Sequence, residues 1–177
     1  MFQYACWNIQ GKPITHCIDS LLSSEIDFHI IGLQEATVAS TDAHTEQGGL
    51  PEVCLHEGYT ILHAWTTGCH RRLALCFEEE SLTKWSAAKA GHSHLLVQVW
   101  LAFMDNPLIV VVAHLPHRGH PFEDFQLACQ ELERDLQRFS QRGLPILLLG
   151  DLNEQMHLLG HGGDRETVLL GTLALWI

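Results

Sequence analysis

Apolar and polar positions alternate from Phe2 to Asn8 with the period of a β-strand, and the cluster Gln10-Gly11-Lys12-Pro13 then stops it. Thr15 is placed to cap a helix running to about Glu25, with Ile18, Leu21 and Leu22 on one face. Residues 28 to 33 read as a buried strand whose apolar run ends abruptly at Gln34-Glu35. Strand, helix and strand in that order predict a parallel pair, because parallel neighbours need a crossover. Residues 37 to 52 hold small and polar side chains with Gly48-Gly49 and Pro51, the pattern of a long surface loop. Strand candidates follow at 59–64, 72–77, 94–103 and 108–113, the last two joined by Asp105-Asn106-Pro107, and form a run of antiparallel neighbours.

From Phe122 to Arg142 the period changes. Phe122, Phe125, Cys129, Leu132, Leu136 and Phe139 recur at steps of three and four, one stripe of an amphipathic helix with ordinary solvated charges opposite. Gly143 ends the stripe and Pro145 prevents its resumption. Residues 146 to 150, Ile-Leu-Leu-Leu-Gly, then form another buried strand, which delivers Asp151 to its carboxyl end. The chain shows no internal repeat and no low-complexity tract.

Composition narrows the class. A chain of 177 residues that is 46% hydrophobic can bury one core, so a single domain is expected. The formal charge of −11, with 10 basic against 21 acidic residues, argues against an extended nucleic-acid surface and confines any polyanion site to a local patch. Six cysteines without a C-x-x-C pair suit reduced thiols, and the amino terminus lacks a basic-then-apolar leader, so an intracellular location, cytoplasmic or nuclear, is expected. The longest apolar runs, Leu108–Ala113 and Val168–Ile177, fall well short of the roughly 20 residues that span a bilayer.

The candidate chemistry lies where strands end. Asn8 closes the first strand, Glu35 follows the second, and Asp151 with Asn153 follows the last. A carboxylate directly after a buried strand sits at a sheet rim, partly desolvated yet reachable, and several such groups can converge on a hard cation. Any one of them alone reads more simply as a solvated rim residue. His114, which ends an apolar strand before Pro116, is the strongest candidate among thirteen histidines. His114, His117 and His120 are also spaced H-x-x-H-x-x-H, but Pro116 and Gly119 break the regularity and no Cys is close, so zinc is the weaker reading. Cys69-His70-Arg71-Arg72 is a small basic patch that could touch a phosphate backbone, although a solvated loop is the simpler account. Gly160-His161-Gly162-Gly163 lacks the Lys-Ser/Thr end of a phosphate-binding loop and reads as a turn.

Four segments in order carry a resemblance. Trp7-Asn8-Ile9-Gln10-Gly11, the run from Ile30 to Gln34-Glu35, the run from Val110 to His114-Leu115, and Leu149-Gly150-Asp151-Leu152-Asn153 resemble successive motifs of the endonuclease/exonuclease/phosphatase superfamily, possibly of its non-LTR retrotransposon kind. Each motif is short and weak alone; the ordered set is specific. The resemblance spans residues 4 to about 153 and implies an α/β fold, a partial four-layer α/β/β/α sandwich of the DNase-like type. It implies a magnesium-dependent phosphodiester hydrolase, with manganese as an alternative cation and nucleic acid as the foremost substrate. Glu35 then corresponds to the main metal ligand, with Asn8 beside metal and phosphate. Asp151 corresponds to the group that orients or deprotonates the attacking water, helped by Asn153, and His114 to a histidine bonding a non-bridging phosphate oxygen.

The chain also departs from that pattern. Such enzymes are expected to finish on a Ser-Asp-His-like strand end, and only 24 residues, without a histidine in the last sixteen, follow Asn153. His157 and His161 follow Asp151 too closely to fill the role. The expectation is therefore an incomplete domain over 1–153 lacking its last strands, and a tail over 154–177. Two functions stay open: a hydrolase of reduced activity, or a catalytically inactive remnant that binds metal or a partner.

Overall fold

A computed structural model describes residues 2–24, 27–38, 50–66, 71–117, 119–140 and 142–153. The tail over 154–177, the glycine turn at 160–163 and Cys69-His70 lie outside the described residues. Nine strands and two helices are described: β1 (Tyr4–Asn8), α1 (Ile14–Leu22), β2 (Ile30–Ala36), β3 (Glu52–His56), β4 (Tyr59–Thr66), β5 (Arg71–Glu78), β6 (Leu82–Ala90), β7 (His94–Leu101), β8 (Leu108–His114), α2 (Phe122–Ser140) and β9 (Ile146–Asp151). They form two sheets, ordered β1-β2-β5-β4-β3 and β6-β7-β8-β9.

Alternation along the strands produces the layers. Ile30, Leu62, Leu73, Leu75 and Phe77 of one sheet meet Val97, Val99, Val110, Val112 and Leu149 of the other in a core between the sheets. The opposite faces carry the helices. Ile14, Cys17 and Ile18 of α1 pack on Ile31, Leu33, Ile61 and Ala74. Leu132, Leu136 and Phe139 of α2 pack on Leu96, Ile109, Val111 and Ala113. The result is the helix, sheet, sheet, helix layering of a DNase-like fold, with each sheet covered once on its outer face.

The expected parallel pairing of β1 with β2 is present, with Tyr4 opposite Ile30 and Asn8 opposite Gln34. β8 and β9 also pair in parallel, which sets His114 opposite Asp151. Several boundaries differ from the sequence reading. Pro13, not Thr15, precedes α1; it is extended and caps with no side chain, so the helix starts two residues earlier than expected and stops at Leu22. The buried stripe is Ile14, Cys17 and Ile18, with Leu21 partly buried against the same core, and Leu22 is exposed. β2 runs through Gln34-Glu35 to Ala36, past the polar pair expected to end it.

Two strands were not expected. β3 is an edge strand with an exposed face, and β6 is an edge strand whose register shifts twice, so neither shows the alternation that marks a half-buried strand. β6 also interrupts the antiparallel run: β4–β5 and β7–β8 are neighbours as expected, but β5 and β7 belong to different sheets.

Candidate active site

Strand parity decides which side chains reach the cleft. On β8, Val110 and Val112 face the core between the sheets, so His114 does too; on β9, Leu147 and Leu149 do the same for Asp151. On β1, Ala5 and Ile9 face α1, so Asn8 takes the opposite, inter-sheet side. Simple alternation would send Glu35 the wrong way, because Ile31 and Leu33 face α1. A β-bulge corrects this. Leu33 pairs with Ala74 and Ala36 with Arg72, so β2 carries one residue more than β5 over that interval.

Within the bulge Glu35 adopts a left-handed backbone at φ 53°. That conformation costs a non-glycine residue on the order of 1–2 kcal/mol. The turn after β1 holds it there. Gly11 N–H donates to the Glu35 carbonyl at 2.7 Å, and Ile9 N–H donates to the Gln34 carbonyl at 2.9 Å. A local strain kept by hydrogen bonds from a neighbouring strand re-aims the carboxylate into the cleft.

The side chains then meet across the two sheets. Asn8 Nδ2 donates to Glu35 Oε1 at 2.9 Å and to Asp151 Oδ2 at 3.2 Å, so one amide nitrogen joins a carboxylate of each sheet. Asn8 Oδ1 accepts from Gln10 N–H at 3.1 Å, which fixes the amide's direction. Asp151 Oδ1 accepts from Asn153 N–H at 3.0 Å, and Asn153 Nδ2 donates to the Leu115 carbonyl at 2.7 Å. His114 Nε2 stands 3.7 Å from Glu35 Oε1, close by but beyond hydrogen-bond length.

His114 is mostly buried. Burial pushes its pKa below the ordinary histidine value; Glu35 and Asp151 oppose that shift, while His117 and His120 reinforce it. The ring is therefore neutral at pH 7. Its Nδ1 is buried with no partner among the described residues, so the proton belongs on Nε2, where a cleft acceptor can take it. His117 and His120 lie on the loop after β8 with rings edge to face, 4.5 Å between centroids.

All five residues singled out in the sequence, Asn8, Glu35, His114, Asp151 and Asn153, thus gather at one rim. Arg72, the described side chain of the basic patch, does not join them. Arg72 is engaged on the α1 side of its sheet, donating to Glu52 Oε1 at 3.2 Å and lying 3.0 Å from His63 Nδ1. Sequence reasoning passed over Gly150 and Gly32. A Cβ on Gly150 would lie 2.2 Å from the Ala113 carbonyl oxygen, and one on Gly32 would lie 3.0 Å from the Leu149 side chain. These glycines let β9 approach β8 and β2 closely beneath the site; the Gly-Asp pair at the end of an apolar strand signals Gly150, and Gly32 shows only as a small residue inside an apolar run.

The donors suit a hard cation in kind: two carboxylates with an amide and an imidazole at their side. Among the described residues no three His, Cys, Asp or Glu side chains gather as a metal-holding group. A cation here would be held by few protein oxygens and complete its shell with water and substrate, a habit of magnesium.

The two-sheet sandwich carries a carboxylate–amide–imidazole rim at the carboxyl ends of its parallel strands, and the family match gives the class, nuclease- and phosphatase-type hydrolases. Residues 5–167 match the profile of the Endonuclease/Exonuclease/phosphatase family, and the chain belongs to that family. Among solved structures it is similar to the endonuclease domain of TRAS1, a telomere-specific non-LTR retrotransposon, with a TM-score of 0.68 and 14% identity over 99% of this chain and 70% of that one. It also resembles the catalytic domain of human Nocturnin, with a TM-score of 0.57 and 16% identity over 87% of this chain and 64% of that one. A third likeness is to a family protein from Bacteroides thetaiotaomicron, with a TM-score of 0.58 and 11% identity over 95% of this chain and 65% of that one. The chain thus spans about two thirds of the length of these structures, and at such identities the likeness concerns the fold. No curated protein matches. Among the described residues no helix is long and apolar enough to cross a membrane.

Proposed function

We propose that the chain hydrolyses phosphodiesters, with nucleic acid as substrate, using a divalent cation held by Glu35. The observation that carries this reading is the Asn8 amide, which ties Glu35 and Asp151 together from two different sheets. Two carboxylates side by side repel, and a fold that builds a bulge to bring them together needs a use for paired negative charge. Bound magnesium or manganese would supply charge neutralisation at the phosphoryl oxygens and orient the ester.

The chain's own residues have separable tasks. Asp151, fixed through Oδ1 by Asn153 N–H and through Oδ2 by Asn8, accepts a proton from water as the water oxygen attacks phosphorus; the ester P–O bond breaks, and the leaving alkoxide takes a proton from solvent. Asn153 holds the turn on which Asp151 sits. His114, neutral with its proton on Nε2, donates to a non-bridging phosphate oxygen and strengthens that bond as charge develops. Asn8 keeps the two carboxylates in register. Substrate choice follows from charge: a chain of −11 tolerates a phosphodiester only at this local rim, which suits a short contact with a flexible strand better than an extended duplex face.

The test is hydrolysis of supercoiled plasmid and of bis-p-nitrophenyl phosphate, each with Mg²⁺, with Mn²⁺ and with chelator. Wild type is expected to act on both substrates only with cation, and Glu35→Gln and Asp151→Asn to lose roughly 10²- to 10⁴-fold. Activity indifferent to both substitutions, or no activity in wild type, overturns the proposal.

A further inference from the structure

A second polar cluster is buried on the α2 side of the β6–β9 sheet. Asp135 of α2 is completely buried, and both of its oxygens lie 2.5 Å from Lys89 Nζ of β6. His94 Nε2 of β7, equally buried, stands 3.1 Å from Asp135 Oδ2. Next to it, His92 N–H donates to Glu131 Oε2 of α2 at 2.8 Å. Gly91 N–H donates to the His94 carbonyl at 2.8 Å, and Gly91 lies so close over the His94 ring that a Cβ there would be 2.2 Å from Cε1. Three independent ties therefore pin the turn between β6 and β7 to α2 and to its own strand.

That turn reaches the candidate active site through one bond. The Ser93 carbonyl accepts the His114 N–H at 2.9 Å, one rung beyond the paired residues His94 and Ala113. His114 is the last residue of β8, and its next backbone bond, Leu115 N–H to the Asp151 carbonyl at 3.0 Å, belongs to the opposite neighbour. The ring direction of His114 is thus set between β9 on one side and the Ser93 carbonyl on the other. We propose that Asp135 is a positioning residue for His114, acting through Lys89, His94 and the Ser93 carbonyl. The claim deepens the hydrolytic reading of the rim, on which its kinetic consequence rests.

A buried ion pair is a weak source of net stability, since desolvating two charges offsets most of their attraction. What it does supply is a fixed arrangement: an aspartate bonded to Lys89 and His94, with Arg138 Nη1 a further 3.7 Å from Oδ1, admits few alternative placements of the turn. Side chains that hold reacting groups are sensitive to such support, because a displacement of about 1 Å costs roughly a hundredfold in rate.

The experiment compares the full-length wild type with Asp135→Asn and with Leu136→Ala, a control that weakens the same helix without touching the cluster. Folding is checked by circular dichroism. The ring resonances of His114, assigned from the spectrum of His114→Gln, are read by NMR, and kcat and KM are measured on bis-p-nitrophenyl phosphate with Mg²⁺. Asp135→Asn is expected to shift the His114 ring resonances and lower kcat roughly 10- to 100-fold with KM unchanged. Leu136→Ala is expected to lower stability and leave both readouts near wild type. Should Asp135→Asn not fold, Glu131→Ala, which removes the His92 tie together with an exposed Arg134 ion pair at 3.7 Å but leaves Asp135, Lys89 and His94 in place, is expected to shift the same resonances by less. Unmoved His114 resonances in every folded cluster variant, or an equal shift in Leu136→Ala, overturn the proposal. If wild type shows no hydrolysis the hydrolytic reading fails by itself, and the resonances still decide whether Asp135 positions His114.

Discussion

Replacing Gly150 by alanine tests how the two halves of the site are brought together. The added Cβ would meet the Ala113 carbonyl oxygen at 2.2 Å and the Ala113 carbonyl carbon and nitrogen at 3.0 Å, all of them backbone atoms with no rotamer to yield. Relief requires β9 to move away from β8 by about 1 Å, given that such atoms normally pack at roughly 3.5 Å or more. Overpacking of this kind costs about 1–3 kcal/mol, and weakening one or two ladder bonds beside it adds about 1 kcal/mol each. The sum, about 2–5 kcal/mol, corresponds to a fall in Tm of roughly 10 °C for a domain of this size. Gly58→Ala is the comparison. Gly58 also has positive φ, at 79°, but nothing lies within 4 Å of its missing Cβ, so only backbone strain of about 1 kcal/mol is expected. Urea unfolding and thermal melts of the two variants measure the difference. The position adds a second effect, since Ala113 and Gly150 are one register step before His114 and Asp151. Below its melting transition Gly150→Ala should also lose hydrolytic rate, whereas Gly58→Ala should not. Equal stability of the two variants would refute the claim that close approach of β9 to β8 builds the rim.

Other outcomes follow from named groups. Burial opposes ionisation of Asp135, but hydrogen bonds from His94 and Lys89 outweigh it and hold its carboxyl at about 2. A carboxyl depressed in the folded state contributes stability above its unfolded value near 4, and that contribution is lost as pH falls from about 4 to about 2. Asp135→Asn should therefore flatten the acid limb of stability in urea titrations, and an unchanged limb would contradict it. His63 is buried with its pKa lowered by burial and by Arg72. Its neutral form stabilises the fold above the unfolded histidine value, and acidification below about 6.5 should weaken the protein, less so in His63→Gln. Asn8→Ala leaves Glu35 and Asp151 facing each other without the shared donor, and is expected to reduce hydrolysis roughly 10- to 100-fold with little change in Tm. Leu132→Ala empties a fully buried position between α2 and its sheet and should cost about 2–5 kcal/mol in chemical denaturation.

The sequence by itself determined the pieces whose information is local. The stripe from Phe125 to Phe139 specifies α2 because period and burial coincide, and the apolar runs ending in His114 and Asp151 specify β8 and β9 with their polar ends. It also named Asn8, Glu35, His114, Asp151 and Asn153, since an oxygen or nitrogen donor directly after a buried strand is visible without coordinates. Start and stop of α1 were misjudged because Pro13 sets the helix entry through its fixed backbone rather than through a capping side chain. β3 and β6 were invisible because edge strands with an exposed face or a shifting register carry no alternation.

Only the tertiary structure decided that Glu35 points into the cleft. Parity along β2 aims position 35 toward α1, and the reversal depends on one extra residue opposite β5 and on hydrogen bonds from the turn after β1. Such a bulge is a property of two strands in register, and no single strand encodes it. The same holds for the Asn8 amide between two sheets and for the link from Asp135 to His114, which join residues far apart in the chain. Local pattern fixes which side chains end a strand; the pairing of strands fixes where those ends meet.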